Sequence, residues 1–189
     1  MKFPTLLVAM LSLSGPTLLA GCAPGRDLEP IAEYSSQGYK LGGGDQIRII
    51  TFGEDQLTGD FRVDDRGNIA LPLIGNVKAT GKTSEDLSAS ISGELRRRKL
   101  LQDPSVAVEV VAYRPVFVLG EVTKPGQYPF QPGMTMLTTV AVAGGFTYRA
   151  VQDYASVVRT TDAQAVAGKI TPLSFVAPGD VVNVFERRF

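Results

Sequence analysis

Apolar and polar residues alternate over 46–52, with Ile47, Ile49 and Thr51 on one face and Arg48, Ile50 and Phe52 on the other. That pattern predicts a β-strand. Gly42-Gly43-Gly44-Asp45 predicts the turn that launches it. Segments 61–63 and 69–73 flank Asp64-Asp65-Arg66-Gly67-Asn68 and predict a hairpin. The period then lengthens. Thr83-Ser84-Glu85-Asp86 has the form of a capping box with Asp86 in place of the usual glutamate. Leu87, Ile91 and Leu95 follow at intervals of four and give the helix one buried face. Arg96-Arg97-Arg98-Lys99 places cations where the helix dipole favours them, and Pro104 is expected to stop the helix. Val106, Val108 and Val110 mark one face of a further strand. Residues 39–112 therefore predict a small α/β unit.

Pro115 marks a boundary with almost no linker. Beyond it the pattern predicts strands at 116–119 and 127–130 around a turn in Gly120-Glu121-Val122-Thr123-Lys124-Pro125-Gly126. Thr135 caps a short helix to Val142, which Gly144-Gly145 closes. Strands at 154–159 and 181–185 complete a compact β-grasp-like unit. One echo joins the two units: Gly44-Asp45-Gln46-Ile47-Arg48-Ile49 returns as Gly179-Asp180-Val181-Val182-Asn183-Val184. Shared turn chemistry explains six residues without any duplication.

The chain opens differently. Lys2 precedes an uncharged stretch, 3–19, weighted by Leu6, Leu7, Val8, Leu11 and Leu13, and small residues follow to Cys22. This is the layout of a secretory signal, expected to occupy 1–21. The rival, a membrane-spanning helix, is interrupted by Ser12, Ser14, Gly15, Pro16 and Thr17. Leu19-Ala20-Gly21-Cys22 resembles the bacterial lipobox, which implies cleavage before Cys22 and lipidation of that residue. Ala23, by resemblance to lipoprotein sorting rules, implies the outer membrane. Residues 22–37 lack periodicity and are expected to be a tether.

Composition narrows the chemistry. The chain is 44% hydrophobic and 20% charged, has a formal net charge of zero at pH 7, and holds no histidine and one cysteine. No nucleic acid is expected as a partner, because a basic excess is missing. Histidine-dependent triads, most zinc sites and any intrachain disulfide are excluded. Gly81-Lys82-Thr83 invites a phosphate-loop reading, but position 76 holds Asn76, and the nearest glycine is Gly75. Gly42-Gly43-Gly44 precedes a strand, where a dinucleotide fingerprint needs glycines between strand and helix. Glu54, Asp55, Asp60, Asp64 and Asp65 offer a glycosidase pair or a calcium site in principle, yet they cluster at turns. The run 96–99 reads as a solvated helix end. Tyr113, Tyr128, Phe130, Phe146 and Tyr148 read mostly as core rather than as sugar-stacking surfaces. No catalytic residue, cofactor or metal is expected.

The ordered motifs carry more than their chemistry. Tyr39-x-Leu41-Gly42-Gly43-Gly44-Asp45, Val63-Asp64-x-x-Gly67-x-Ile69-x-Leu71-Pro72-Leu73-Ile74-Gly75 and Asp103-Pro104-x-Val106-x-Val108 resemble the outer-membrane polysaccharide export family. Gly43 departs from it, since proline is usual there. Val118-x-Gly120-Glu121-Val122-x-x-Pro125-Gly126-x-Tyr128, Ala143-Gly144-Gly145-Phe146-Thr147 and Pro178-Gly179-Asp180-Val181-Val182 resemble its soluble-ligand-binding β-grasp (SLBB) module. The resemblance implies an α+β chain: a polysaccharide export domain at 38–113, then an SLBB domain at 114–189. It implies a non-enzymatic lipoprotein that guides polysaccharide from inner-membrane machinery to the outer membrane. The implied partners are a homo-oligomeric ring, an inner-membrane polysaccharide co-polymerase and the polysaccharide itself. Ending at Phe189 resembles the short members, for which a separate outer-membrane barrel is expected. The competing expectation is a monomeric periplasmic lipoprotein that binds glycan or protein.

Overall fold

The computed structural model describes residues 23–35, 38–161 and 164–187. The expected signal and the lipidation call at Cys22 lie outside them. Two hydrophobic cores divide the chain, meeting at Tyr113–Pro115.

The first core is built on a three-stranded antiparallel sheet in the order β2-β1-β5, from β1 (Gln46–Thr51), β2 (Gly59–Arg62) and β5 (Val106–Ala112). A separate ribbon pairs β3 (Asn68–Leu71) with β4 (Gly75–Lys78). Helix α1 (Ser84–Arg97) buries Leu87, Ile91 and Leu95, as its four-residue spacing requires. Its capping box forms through Thr83 and Asp86 in both directions. Its stop differs from expectation. Lys99 adopts a left-handed φ of 59°, and the Leu100 N–H returns to the Leu95 carbonyl. That Schellman closure ends the helix before Pro104 is reached.

The expected hairpin is a second difference. The turn at 64–68 does form, closed by the Asp64 N–H on the Asn68 carbonyl and the Asn68 N–H on the Asp64 carboxylate. Its two arms nevertheless pair elsewhere, β2 with β1 and β3 with β4. Turn chemistry is local, whereas burying Phe61 and Ile69 is decided by packing across the whole first core.

The second core holds a five-stranded mixed sheet, β7-β6-β10-β8-β9. Its members are β6 (Val116–Gly120), β7 (Gly126–Tyr128), β8 (Ala155–Thr161), β9 (Gln164–Ile170) and β10 (Val181–Val184). β10 runs parallel to β6 and antiparallel to β8. Helix α2 (Met136–Val142) covers one face with Met136, Thr139 and Val140 buried. Thr135 caps it, and Gly144 at φ 83° closes it, with the Gly145 N–H on the Val140 carbonyl. This is the expected grasp of a helix by a sheet.

Residues 23–34 belong structurally to this second unit. Glu29 and Ile31 exchange backbone hydrogen bonds with Lys169 on β9, so Pro30 extends the sheet in parallel. Tyr154 donates to the Pro24 carbonyl, Lys169 to the Arg26 carbonyl and Arg159 to the Ala32 carbonyl. Ile31 and Tyr34 pack on the second core. Where a tether was expected, the described part is a strap.

Candidate functional site

The two Gly-Asp turns meet at the seam between the units. In each, the aspartate N–H donates to the carbonyl three residues earlier, Asp45 to Gly42 and Asp180 to Ala177. The third position is a glycine with positive φ, 96° at Gly44 and 87° at Gly179. A left-handed third residue following a second residue that is not left-handed defines a type II turn. The carboxylate then folds back: Gly42 and Ala177 donate their N–H groups to the Oδ2 of Asp45 and Asp180, at 2.8 and 2.7 Å.

Both carboxylates are buried, at 0% and 1% exposure, and each meets an arginine. Arg159 donates to both oxygens of Asp180, from Nε at 3.0 Å and from Nη2 at 2.8 Å. The Arg114 backbone N–H donates to Asp45 at 2.9 Å, and its Nε lies 3.4 Å from the same oxygen, within ion-pair distance but without a hydrogen bond. Tyr39 adds a third donor to Asp45 at 2.6 Å and accepts from Arg114. Burial, followed by that bond to Asp45, pushes the Tyr39 hydroxyl well above the ordinary tyrosine range. Burial also raises Tyr34.

An aromatic chain runs across the seam. Tyr39 meets Tyr113 edge-on at 5.0 Å, Tyr113 meets Phe130 at 5.5 Å, and Phe130 meets Tyr34 at 6.3 Å. Arg159 stands over the Tyr34 ring, 5.8 Å from its centre. Above these pairs opens a cleft of about 600 Å³, with Lys40, Arg66 and Asp65 among its charged lining. Its volume suits a small ligand. The Asp45 and Asp180 carboxylates beneath it are saturated by donors, so these two can brace the seam.

The other residues weighed from sequence are dispersed. Asp60 pairs with Arg48, Asp64 closes its own turn, and Glu54 and Asp55 sit at the short 3-10 turn Asp55–Leu57. Only Asp65 reaches the cleft. Among the described residues no group of three or more His, Cys, Asp or Glu is placed to hold a metal. Lys82 donates to Ser90 on α1, which accounts for the Gly-Lys-Thr run structurally. Arg97 and Arg98 both engage Glu94, and those hydrogen bonds hold its carboxyl below the usual range. Phe130 is buried, while Tyr113, Tyr128 and Phe146 are partly buried against the second core. Tyr148 is 89% exposed.

The family comparisons fall on the two units. Residues 33–111 match the family described as polysaccharide biosynthesis/export protein, and 115–172 match the SLBB domain. The chain belongs to the polysaccharide export family. The exopolysaccharide production protein ExoF of Rhizobium meliloti is 39% identical over 90 residues, 47% of this chain and 21% of its own length. The EPS I polysaccharide export outer membrane protein EpsA of Ralstonia nicotianae is 33% identical over 119 residues, 61% of this chain and 30% of its own. The polysialic acid transport protein KpsD of Escherichia coli is 30% identical over 109 residues, 57% and 19% respectively. The chain thus spans less than a third of the length of these relatives.

In this polysaccharide export chain the seam residues were only half visible beforehand. The echoed Gly-Asp turns were the signal for Asp45 and Asp180. Nothing local marked Arg114 and Arg159, which lie 69 and 21 residues away from their partners.

Proposed function

We propose that this chain is a lipid-anchored periplasmic protein at the outer membrane that forms part of a path exporting polysaccharide. The observation that carries the reading is the serial match, an export domain followed by an SLBB domain, with the first Gly-Asp turn tied through Asp45 to Arg114 at the junction. Lipid on Cys22 supplies the anchor. The names of ExoF, EpsA and KpsD support polysaccharide as cargo. A homo-oligomeric ring, an inner-membrane co-polymerase and an outer-membrane barrel are the proposed partners. An outward apolar row on the second sheet supports assembly: Phe117 and Val158 flank Val181 on the face opposite α2, with Leu119 beside them. The chain's part is to line and hold a route, with no bond made or broken.

Deleting the gene should abolish secreted polysaccharide while intracellular glycan is still made, and the wild-type chain should restore secretion. Normal secretion in the deletion strain would reject the export role. The seam cleft favours a second reading, a monomeric lipoprotein that binds glycan or protein. Native mass spectrometry of the lipidated protein in detergent separates the two. A persistent monomer at high concentration would favour the second.

A further inference from the structure

A lipid anchor restrains a protein only as tightly as the chain joining the two. If 22–37 were a free tether, about 16 flexible residues would let the body wander roughly 22 Å from its lipid. The strap removes that slack. Pro24 is held by the Tyr154 hydroxyl at 3.0 Å, and Gly25 lies so close under the Phe185 ring that a Cβ there would fall 2.3 Å from it. Lys169 holds the Arg26 carbonyl at 3.1 Å, and Glu29 and Ile31 then run in the sheet beside β9. From Cys22 to Pro24 is two residues, a reach of at most about 7 Å.

The pinned end lies at the far tip of the second unit. Asp180 starts β10 at the seam, and Phe185 follows its last residue, so the strand carries the chain away from the cleft. At that tip Val151 donates its N–H to the Phe185 carbonyl, and Arg187 donates to that of Arg149. Arg149 pairs with Glu186. Tyr148, next along the chain, is 89% exposed with its ring free to reach outward. Tyrosines placed this way suit the headgroup layer, where a ring meets apolar matter and a hydroxyl meets water. Charge does not select this surface, because Asp27 and Glu186 accompany Arg26, Arg149 and Arg187.

We propose that the strap, residues 24–34, seats the tip of the SLBB domain bearing Tyr148 directly on the lipid headgroups of the membrane that holds the anchor. This rests on lipidation of Cys22. The occupant of the tip is therefore a lipid surface, and the body stands on it at a fixed end instead of trailing from a leash.

The test uses full-length lipidated protein in vesicles of phosphatidylethanolamine and phosphatidylglycerol. A fluorophore is placed by Tyr148→Cys, or by Gln56→Cys in the exposed turn of the first unit, after mass spectrometry has shown acyl groups on Cys22. Quenchers sit on the lipid headgroups. The label at 148 should be quenched strongly and that at 56 little. A second form carries 15 glycine and serine residues inserted between Cys22 and Ala23, which should reduce quenching at 148 by about twofold or more. Equal quenching at both positions on an acylated protein, or no response to the insertion, would overturn the proposal alone. A chain purified from its membrane fraction that carries no acyl groups on Cys22 would overturn the lipid reading and the proposal together.

Discussion

The turn at 42–45 and the turn at 177–180 are the same device used for two purposes. Both are type II turns whose aspartate is buried, folds back on its own backbone and meets an arginine. Asp180 is gripped by Arg159 through both oxygens, and that arginine also holds the strap and the Phe175 carbonyl. Its side chain is 11% exposed. Asp45 takes the backbone N–H of Arg114, a longer side-chain contact and a tyrosine hydroxyl, and the Arg114 side chain is 28% exposed. The second turn therefore braces its own domain. The first holds the domain to its neighbour, because its ligands come from the junction. Equal local geometry does not mean equal mechanical roles.

Removing each carboxylate is the harshest way to separate those roles. Asp180→Ala is expected to cost about 3–5 kcal/mol, because Arg159 loses its anion in a nearly dry site. Asp45→Ala should fall at the lower end, about 3 kcal/mol, since water can still reach Arg114. Urea unfolding of the mature chain measures both. Equal losses, or a larger loss at Asp45, would erase the distinction.

Next is Gly42→Ala. The equivalent position in the second turn is already Ala177, so backbone conformation permits a Cβ there. At Gly42 that Cβ would stand 2.5 Å from the Arg114 guanidinium, which must swing away from Asp45. The expected cost is about 1–2 kcal/mol, with the seam loosened and the second domain's own melting unchanged. Hydrogen exchange at the Arg114 N–H reads the loosening directly; unaltered exchange would mean that the arginine accommodates the methyl in place.

How much of this was legible beforehand depends on how local each signal is. Thr83, Leu87, Ile91 and Leu95 carry α1 within thirteen residues, and Thr135 with Gly144 frames α2 in the same way. Strands β4 and β9 escaped because their sequences barely alternate. Val77 alone is buried in the first, and only Gly168 and Ile170 in the second. The mispaired hairpin failed for a different reason, since its turn is real but each arm pairs outward, β2 with the strand before it and β3 with the strand after it. The strap looked like a linker because its bonds run through backbone carbonyls, leaving Ile31 and Tyr34 as isolated apolar residues. At the seam the aspartates were visible as an echo, and their arginines were not.

Tyr39→Phe probes the hydroxyl that only the first turn possesses. It removes the hydrogen bond to Asp45 and the one accepted from Arg114, for an expected loss of about 1.5–3 kcal/mol at neutral pH. The pH dependence has a definite sign. Folding raises the Tyr39 pKa above its ordinary value near 10, so the folded state keeps a proton that the unfolded chain releases. This contribution is fully present below about pH 10 and is lost as pH rises beyond it. The wild-type chain should therefore weaken more steeply than Tyr39→Phe in alkaline urea titrations, and parallel slopes would remove Tyr39 from the account.

The smallest effect tests whether the two turns are interchangeable. Pro178 occupies the second position of one turn, where a type II geometry calls for φ near −60°, and Gly43 occupies it in the other. No N–H bond from Gly43 would be lost among those formed at this loop. Gly43→Pro should thus restrict the unfolded chain and stabilise the protein by up to about 0.5–1 kcal/mol. One contact opposes it: a Cβ at Gly43 stands 3.0 Å from the Asp64 carbonyl oxygen, a backbone atom of the neighbouring turn. A gain near 0.5 kcal/mol would mean that the 64–68 turn yields by a few tenths of an ångström and that the first turn takes the second's sequence. A net loss would mean that the glycine is there to let two turns touch, and that the first Gly-Asp turn is fitted to its neighbour in a way the second is not.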